Sequence, residues 1–140
     1  MTTIVYDHKN KEVAVDSRVT VDGIICSDDF NKTIKNDNGF YFLCGDCWDY
    51  EKISKLTHDE KVEVNPNCSA ILIKDSKAFA VIVSDGFCCI TELKYNYAMG
   101  SGERFALAAL DYGATAKEAV EYAIKKDIYS GGSVIVQPVV

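Results

Sequence analysis

Short apolar runs and alternating apolar and polar positions dominate the first third of this chain of 140 residues. Such patterns are typical of strands, and a later run, residues 78–83, is continuously apolar, as in a strand covered on both faces. The polar segment His8-Lys9-Asn10-Lys11 predicts a turn between the first two strands. The predicted strands cover residues 3–7, 12–16, 23–27, 32–35, 40–44, 70–73, 78–83, 87–93 and 133–139.

Helical signals appear at three places. Asp46 is predicted as the N-cap of a short helix over residues 48–56. A segment rich in Ala and Leu predicts a helix over residues 101–112, which ends before Gly113. The pattern Thr115-Ala116-Lys117-Glu118 is typical of a capping box that opens the last helix. Its apolar positions share one face: Ala116, Ala119, Val120, Ala123 and Ile124.

The order of these elements predicts the fold class. Several strands, a short helix, more strands, two helices and a final strand fit an α+β protein, with two packed sheets between helical layers in an αββα sandwich. The chain has only two prolines and nine glycines, and no internal repeat is evident. We therefore expect one domain over residues 1–140.

Composition and charge narrow the function classes. The formal net charge of −6 disfavours binding to nucleic acid, which requires clustered Lys and Arg. No apolar run approaches the ~20 residues of a membrane span, and residues 2–7 do not resemble a secretion signal. We expect a soluble cytoplasmic protein with neither a nucleic-acid nor a membrane partner.

Six cysteines are many for this length. Cys44 and Cys47 are spaced like half of a zinc site or a redox pair, but no second pair completes four ligands. We expect free, packed thiols and no metal. His8 and His58 stand alone and are expected at the surface.

The opening Met1-Thr2-Thr3 suggests a nucleophile. If Met1 is removed, Thr2 carries a hydroxyl and a free α-amine, whose ordinary pKa is ~7.7–8.0. The amine can then accept the proton of its own hydroxyl, as in N-terminal threonine nucleophiles. Many ordinary proteins also begin with Met-Thr, so the other motifs decide the interpretation.

Several motifs follow Thr2 in order along the chain: Ala14-Val15-Asp16-Ser17-Arg18-Val19-Thr20, Lys32, Gly45, Met99-Gly100-Ser101-Gly102 and Asp127-Ile128-Tyr129-Ser130-Gly131-Gly132. With these motifs the sequence closely resembles, over nearly its whole length, the proteasome β-subunit family of N-terminal nucleophile hydrolases. The opening is most similar to HslV-type bacterial peptidases.

The resemblance implies a role for each matching residue. Thr2 would be the nucleophile, Asp16 and Lys32 would set its electrostatics, and the Gly45 N–H would hold the oxyanion. The side chains expected to position the amine are Ser101, Asp127 and Ser130. Each also has a structural explanation, since Asp16 and Lys32 could form a salt bridge, Ser101 a helix cap, and residues 127–131 a turn.

A substrate pocket is also implied. The resemblance assigns its lining, none of it charged, to Val19, Thr20, Phe30, Ile34, Leu43 and Cys47. Strand alternation also predicts that Leu43 shares the cleft side with Gly45. An apolar pocket predicts cleavage after Leu, Phe, Tyr or Met. These residues could instead belong to the core, Ile34 above all.

The leading hypothesis is thus a threonine endopeptidase that needs no cofactor. The resemblance implies a homo-oligomeric ring, peptide or unfolded-protein substrates and an ATP-dependent unfoldase partner. Residues 55–67 leave no room for the family's second helix in that layer, so the layer is shortened. Two alternatives stay open: a catalytically silent assembly or binding subunit, and an amidase that acts on small amides.

Overall fold

Three antiparallel sheets and three α-helices make up the chain, and the computed structural model describes all residues 1–140. The predicted α+β class is confirmed. The strands are β1 Thr3–Asp7, β2 Glu12–Val15, β3 Val19–Val21, β4 Ile24–Ser27, β5 Thr33–Asn36, β6 Gly39–Gly45, β7 Cys68–Lys74, β8 Lys77–Ser84, β9 Phe87–Glu92, β10 Tyr97–Gly100 and β11 Ile135–Pro138. The α-helices are α1 Tyr50–Ser54, α2 Glu103–Asp111 and α3 Ala116–Lys126, and a 3-10 turn, Cys47–Asp49, precedes α1.

The strands form a four-stranded sheet, a five-stranded sheet and a small hairpin. The four-stranded sheet has the order β10-β1-β2-β11, and the five-stranded sheet runs β5-β6-β7-β8-β9. The hairpin contains only β3 and β4. Because β1 lies inside the four-stranded sheet, the residues beside Thr2 are held by hydrogen bonds on both sides.

Strand β1 is buried along its whole length, and its three central residues, Ile4, Val5 and Tyr6, are apolar. Successive side chains on a strand point to opposite faces. Ile4 and Tyr6 join a core cluster with Phe42 and Ile71 of the five-stranded sheet. Val5 belongs to a different cluster, formed with α2 and α3. The four-stranded sheet therefore buries apolar side chains on both faces.

A third cluster covers the other face of the five-stranded sheet. Tyr41, Leu43 and Leu72 of that sheet pack with Tyr50 and Ile53 of α1. Only this one short helix contributes to the cluster, whereas two longer helices cover the four-stranded sheet. The chain forms no further helix between α1 and β7.

The sequence patterns do not predict two of the strands, β3 and β10. Strand β3 is only three residues long and pairs with β4 alone, so its short alternation of Val and Thr gives little strand signal. Tyr97–Gly100 pairs with β1, a contact between distant parts of the chain that no local pattern indicates.

The first helix is shorter than the predicted 48–56. Asp46 does precede the 3-10 turn, but its side chain makes no capping hydrogen bond. Its carboxylate instead accepts a hydrogen bond from the Asn67 side chain at 3.2 Å. No helix of the protein has the length and apolar content needed to cross a membrane.

The capping box of α3 gives a test of local stability. The Thr115 hydroxyl accepts from the Glu118 N–H at 3.2 Å, and the Glu118 carboxylate accepts from the Thr115 N–H at 3.0 Å. We predict that Thr115→Ala lowers the free energy of unfolding by about 1 kcal/mol in urea titrations. Lys117→Ala, an exposed change in the same turn, is the control. Equal stabilities of the two variants would contradict the prediction.

Candidate active site

A buried ion pair lies at the centre of the candidate site. The Lys32 ammonium contacts Oδ1 of Asp16 at 2.9 Å, and the two side chains are 2% and 0% exposed. Asp16 directly follows β2, and Lys32 directly precedes β5, so the pair connects the two larger sheets. Burying either charge alone would be costly, so each group requires the other.

The Asp16 carboxylate accepts three further hydrogen bonds, all from backbone N–H groups. Thr3 donates to Oδ1 at 3.1 Å, while Gly131 and Arg18 donate to Oδ2 at 2.9 Å and 3.3 Å. Donors on both oxygens stabilise the ionised form of a carboxylate. Asp16 therefore holds together four segments of the chain that are distant in sequence.

Lys32 also reaches the predicted nucleophile. Its ammonium donates to the Thr2 hydroxyl at 3.0 Å and to the Met1 carbonyl oxygen at 2.9 Å. Burial lowers the pKa of Lys32 from its ordinary value, although the charge of Asp16 and its hydrogen bond act in the opposite direction. A cation at this distance favours negative charge on the Thr2 oxygen, as nucleophilic attack requires.

A second hydrogen-bonded group lies on the other side of Thr2. Oδ2 of Asp127 accepts from the hydroxyls of Ser101 at 2.5 Å and Ser130 at 2.7 Å. The Ser130 hydroxyl also contacts that of Thr3 at 2.7 Å, and the Ser101 hydroxyl oxygen lies 3.4 Å from the Thr2 carbonyl oxygen. Asp127 therefore holds both serines assigned to the amine beside residues 2 and 3.

Gly45 ends β6 with a φ of +111°, in the left-handed region that favours glycine. A Cβ at this position would collide with the backbone carbonyl oxygen of Asn67. Gly45 is exposed and lines the same cleft as Thr2. Its backbone is thus open to a bound molecule next to the Thr2 hydroxyl.

Two cavities flank Thr2. One, of about 480 Å³, extends along β3 and the 3-10 turn, and the other, of about 490 Å³, lies beside Ser101 and Glu103. Four residues line both cavities: Met1, Thr2, Gly45 and Asn67. A bound chain could therefore extend to either side of Thr2.

The structure divides the six predicted substrate-binding residues into two groups. The larger set lines the first cavity: Val19, Thr20, Phe30 and Cys47. Ile34 and Leu43 line neither cavity, and both pack in the cluster under α1. The Leu43 side chain is fully buried in that cluster, so it does not lie in the cleft that Gly45 lines.

Some residues of the site were not assigned from the sequence. Tyr50 lines the first cavity, and burial raises the pKa of its phenol far above the usual range. Thr3 reaches Ser130, and the Arg18 side chain reaches the loop at residues 127–132. Arg18 belongs to the motif at residues 14–20, whereas no local pattern indicates Tyr50.

The cysteines do not form a metal centre. All six are free, and the chain contains no group of three or more His, Cys, Asp or Glu side chains that could hold a metal ion. Cys44 is buried, and Cys47 is exposed in the first cavity.

The sequence matches no protein-family model and no curated protein. Its fold, however, is similar to that of Thiobacillus denitrificans BPH. The structure of BPH in complex with epoxomicin aligns with a TM-score of 0.72 and 18% identity, over 99% of this chain and 100% of that one. A second BPH structure aligns with a TM-score of 0.66 and 17% identity, over 99% and 98% of the two chains. At this identity the likeness concerns the fold alone.

The buried pair yields a stability prediction. Asp16→Asn leaves a buried ammonium without its carboxylate, and we expect a loss of about 3–5 kcal/mol in the free energy of unfolding. Lys32→Met should cost less, because three backbone N–H groups still satisfy Asp16. Chemical denaturation measures both.

Lys55→Met is the control, since Lys55 forms only an exposed pair with Glu51 at 4.0 Å, which contributes roughly 0–1 kcal/mol. If Asp16→Asn were no more destabilising than this control, the pair would not hold the two sheets together.

Proposed function

We propose that the protein is a threonine endopeptidase of the proteasome and HslV type, with Thr2 as its N-terminal nucleophile. The observation that carries this proposal is the Lys32 ammonium, which donates to both the Thr2 hydroxyl and the buried Asp16. A salt bridge that served stability alone would not need a hydroxyl at 3.0 Å.

The chemistry begins when the Met1–Thr2 bond is cut, which frees the Thr2 amine. The amine takes the hydroxyl proton, directly or through water, and the hydroxyl oxygen attacks a peptide carbonyl carbon. The Gly45 N–H stabilises the oxyanion, the leaving amine receives a proton, and water hydrolyses the acyl-enzyme. Asp127 and its two serine partners orient the free amine.

The fold is consistent with this assignment. The three core clusters support a four-layer αββα sandwich of the N-terminal nucleophile type, with α1 alone in one outer layer. BPH, which has a similar fold, binds epoxomicin. Epoxomicin is therefore a suitable probe for the Thr2 site of this protein.

Two cavities that meet at Thr2 and Gly45 favour cleavage within a chain rather than at its end. An extended peptide could occupy both cavities and place one carbonyl between the nucleophile and the oxyanion donor. Peptides and unfolded proteins are the substrates that this arrangement fits, and the reaction uses no cofactor.

Loss of the nucleophile is the first test. We predict that protein whose intact mass shows removal of Met1 cleaves unfolded casein and binds epoxomicin, whereas Thr2→Ala does neither. Thr2→Ser retains a hydroxyl and an amine and should keep measurable activity. If the trimmed protein cleaves neither casein nor a panel of fluorogenic peptides, the proposed endopeptidase activity is wrong.

Selectivity is the second test. Uncharged side chains of Val19, Thr20, Phe30 and Cys47 line the first cavity beside the charged Arg18, Asp22, Lys32 and Asp46. We predict that the uncharged group receives the substrate side chain, so that cleavage follows Leu, Phe, Tyr or Met. Cys47→Glu places a carboxylate in the cavity and should shift cleavage towards Lys and Arg, as profiled on an unfolded protein. Cys26→Glu, on exposed β4 outside the cavity, should leave the profile unchanged. A wild-type preference for acidic or basic residues would contradict the assignment.

A catalytically silent subunit is the second candidate, and one contact favours it. With Met1 attached, the Thr2 nitrogen is an amide without a basic lone pair, and the Met1 carbonyl accepts a hydrogen bond from Lys32. Retention of Met1 in the mature protein, as shown by its intact mass, would support this function. A panel that contrasts small amides with peptides distinguishes the amidase alternative.

Assembly and location belong to the same proposal. A homo-oligomeric ring in the cytoplasm, served by an ATP-dependent unfoldase, would exclude folded proteins from the Thr2 site. Light scattering at micromolar concentration tests the ring, since the monomer has a mass of 15.5 kDa.

A further inference from the structure

We propose that Arg18 is a positioning residue, which clamps the loop at residues 127–132 against Asp16 and so keeps the Thr2 site aligned. This inference rests on the proposed function for its kinetic consequence. Its structural part concerns the loop itself and can be tested without any activity.

The guanidinium of Arg18 makes a forked contact with Asp28. Its Nε donates to Oδ1 at 2.7 Å, and its Nη2 donates to Oδ2 at 3.1 Å. The remaining nitrogen, Nη1, donates to the carbonyl oxygen of Ile128 at 2.9 Å. A fixed planar fork can satisfy three such acceptors at once, whereas a lysine ammonium cannot reproduce this geometry.

The loop is shaped to fit this clamp. A Cβ on Gly131 would collide with the guanidinium carbon of Arg18, so the loop backbone passes directly against the planar group. A Cβ on Gly132 would collide with the backbone carbonyl oxygen of Asp28. Consecutive glycines thus permit close approach to both members of the ion pair.

The same loop supplies parts of the candidate active site. The Gly131 N–H donates to Asp16 at 2.9 Å, and Asp127 and Ser130 contact Ser101 and Thr3. The Arg18 backbone N–H also donates to Asp16. The backbone N–H of Arg18 therefore binds the Asp16 carboxylate directly. The Arg18 side chain holds the loop that carries Gly131, the other donor to the same carboxylate oxygen.

Arg18 acts through its neighbours rather than on the substrate. It lines the first cavity, but its charge is already paired with Asp28. The hydrogen bond from Arg18 lowers the pKa of Asp28 below an ordinary value that is already well below neutral pH. The Arg18 charge is therefore paired at neutral pH, and Arg18 adds no free cation to the cavity that would select acidic side chains.

The experiment compares Arg18→Ala, Arg18→Lys and the control Arg104→Ala, which removes an exposed arginine from α2. In Met1-trimmed protein we expect Arg18→Ala to lower kcat roughly 10²-fold by displacing the site, with KM changed by no more than about twofold. Arg18→Lys should recover little of this loss, since it keeps the charge without the fork. Arg104→Ala should match the wild type.

Chemical rescue and hydrogen exchange separate positioning from general stability. Guanidinium at about 20 mM, far below unfolding concentrations, should restore much of kcat in Arg18→Ala, whereas methylammonium should not. Amide exchange at residues 127–132 should be faster in Arg18→Ala than in the wild type, and slower again with guanidinium.

The outcomes distinguish this inference from the proposed function. If the trimmed wild type is inactive, the proposed function fails, and the exchange rates alone decide whether the clamp exists. If exchange at residues 127–132 is unchanged in Arg18→Ala, the clamp is overturned. If exchange accelerates but kcat stays at the wild-type value, the positioning role is overturned. Loss of kcat with equal rescue by methylammonium would show that charge alone matters.

Discussion

The buried carboxylate of Asp16 is the group on which the rest of the site depends. It is fully desolvated and accepts hydrogen bonds from Lys32, Thr3, Arg18 and Gly131, which lie in four separate segments. Each donor offsets part of the cost of removing the charge from water. The arrangement forms only when both larger sheets and the loop at residues 127–132 are in place, so the geometry of Thr2 depends on the complete fold.

Two polar groups of opposite character flank Thr2. Lys32 brings positive charge to the Thr2 hydroxyl. Asp127 brings negative charge to two serines, of which Ser101 lies beside the Thr2 carbonyl oxygen and Ser130 contacts the Thr3 hydroxyl. Such a division suits a residue whose hydroxyl must lose a proton while its own amine gains one. This separation of charge is the physical basis of the proposed peptidase function.

The fold and the site carry different weight in that proposal. At 18% identity, the likeness to BPH concerns the course of the backbone and says little about chemistry. The argument for a peptidase therefore depends on named atoms: the Lys32 ammonium at 3.0 Å from the Thr2 hydroxyl, and the exposed backbone of Gly45 beside it.

The sequence by itself determined the α+β class, most strands and the capping box of α3, because these depend on local periodicity and side-chain chemistry. The candidate site residues came from the resemblance of several motifs to a known family. The sequence could not determine which neighbours share a cavity. Leu43 is expected in the cleft but lies in the core, since the packing of α1 on the five-stranded sheet buries its side chain. Strand β10 forms because it pairs with β1, a distant segment of the chain. The contact of Arg18 with Ile128 likewise joins two distant segments. Only tertiary packing brings such groups together, because their contacts join residues that are nearly a hundred or more positions apart.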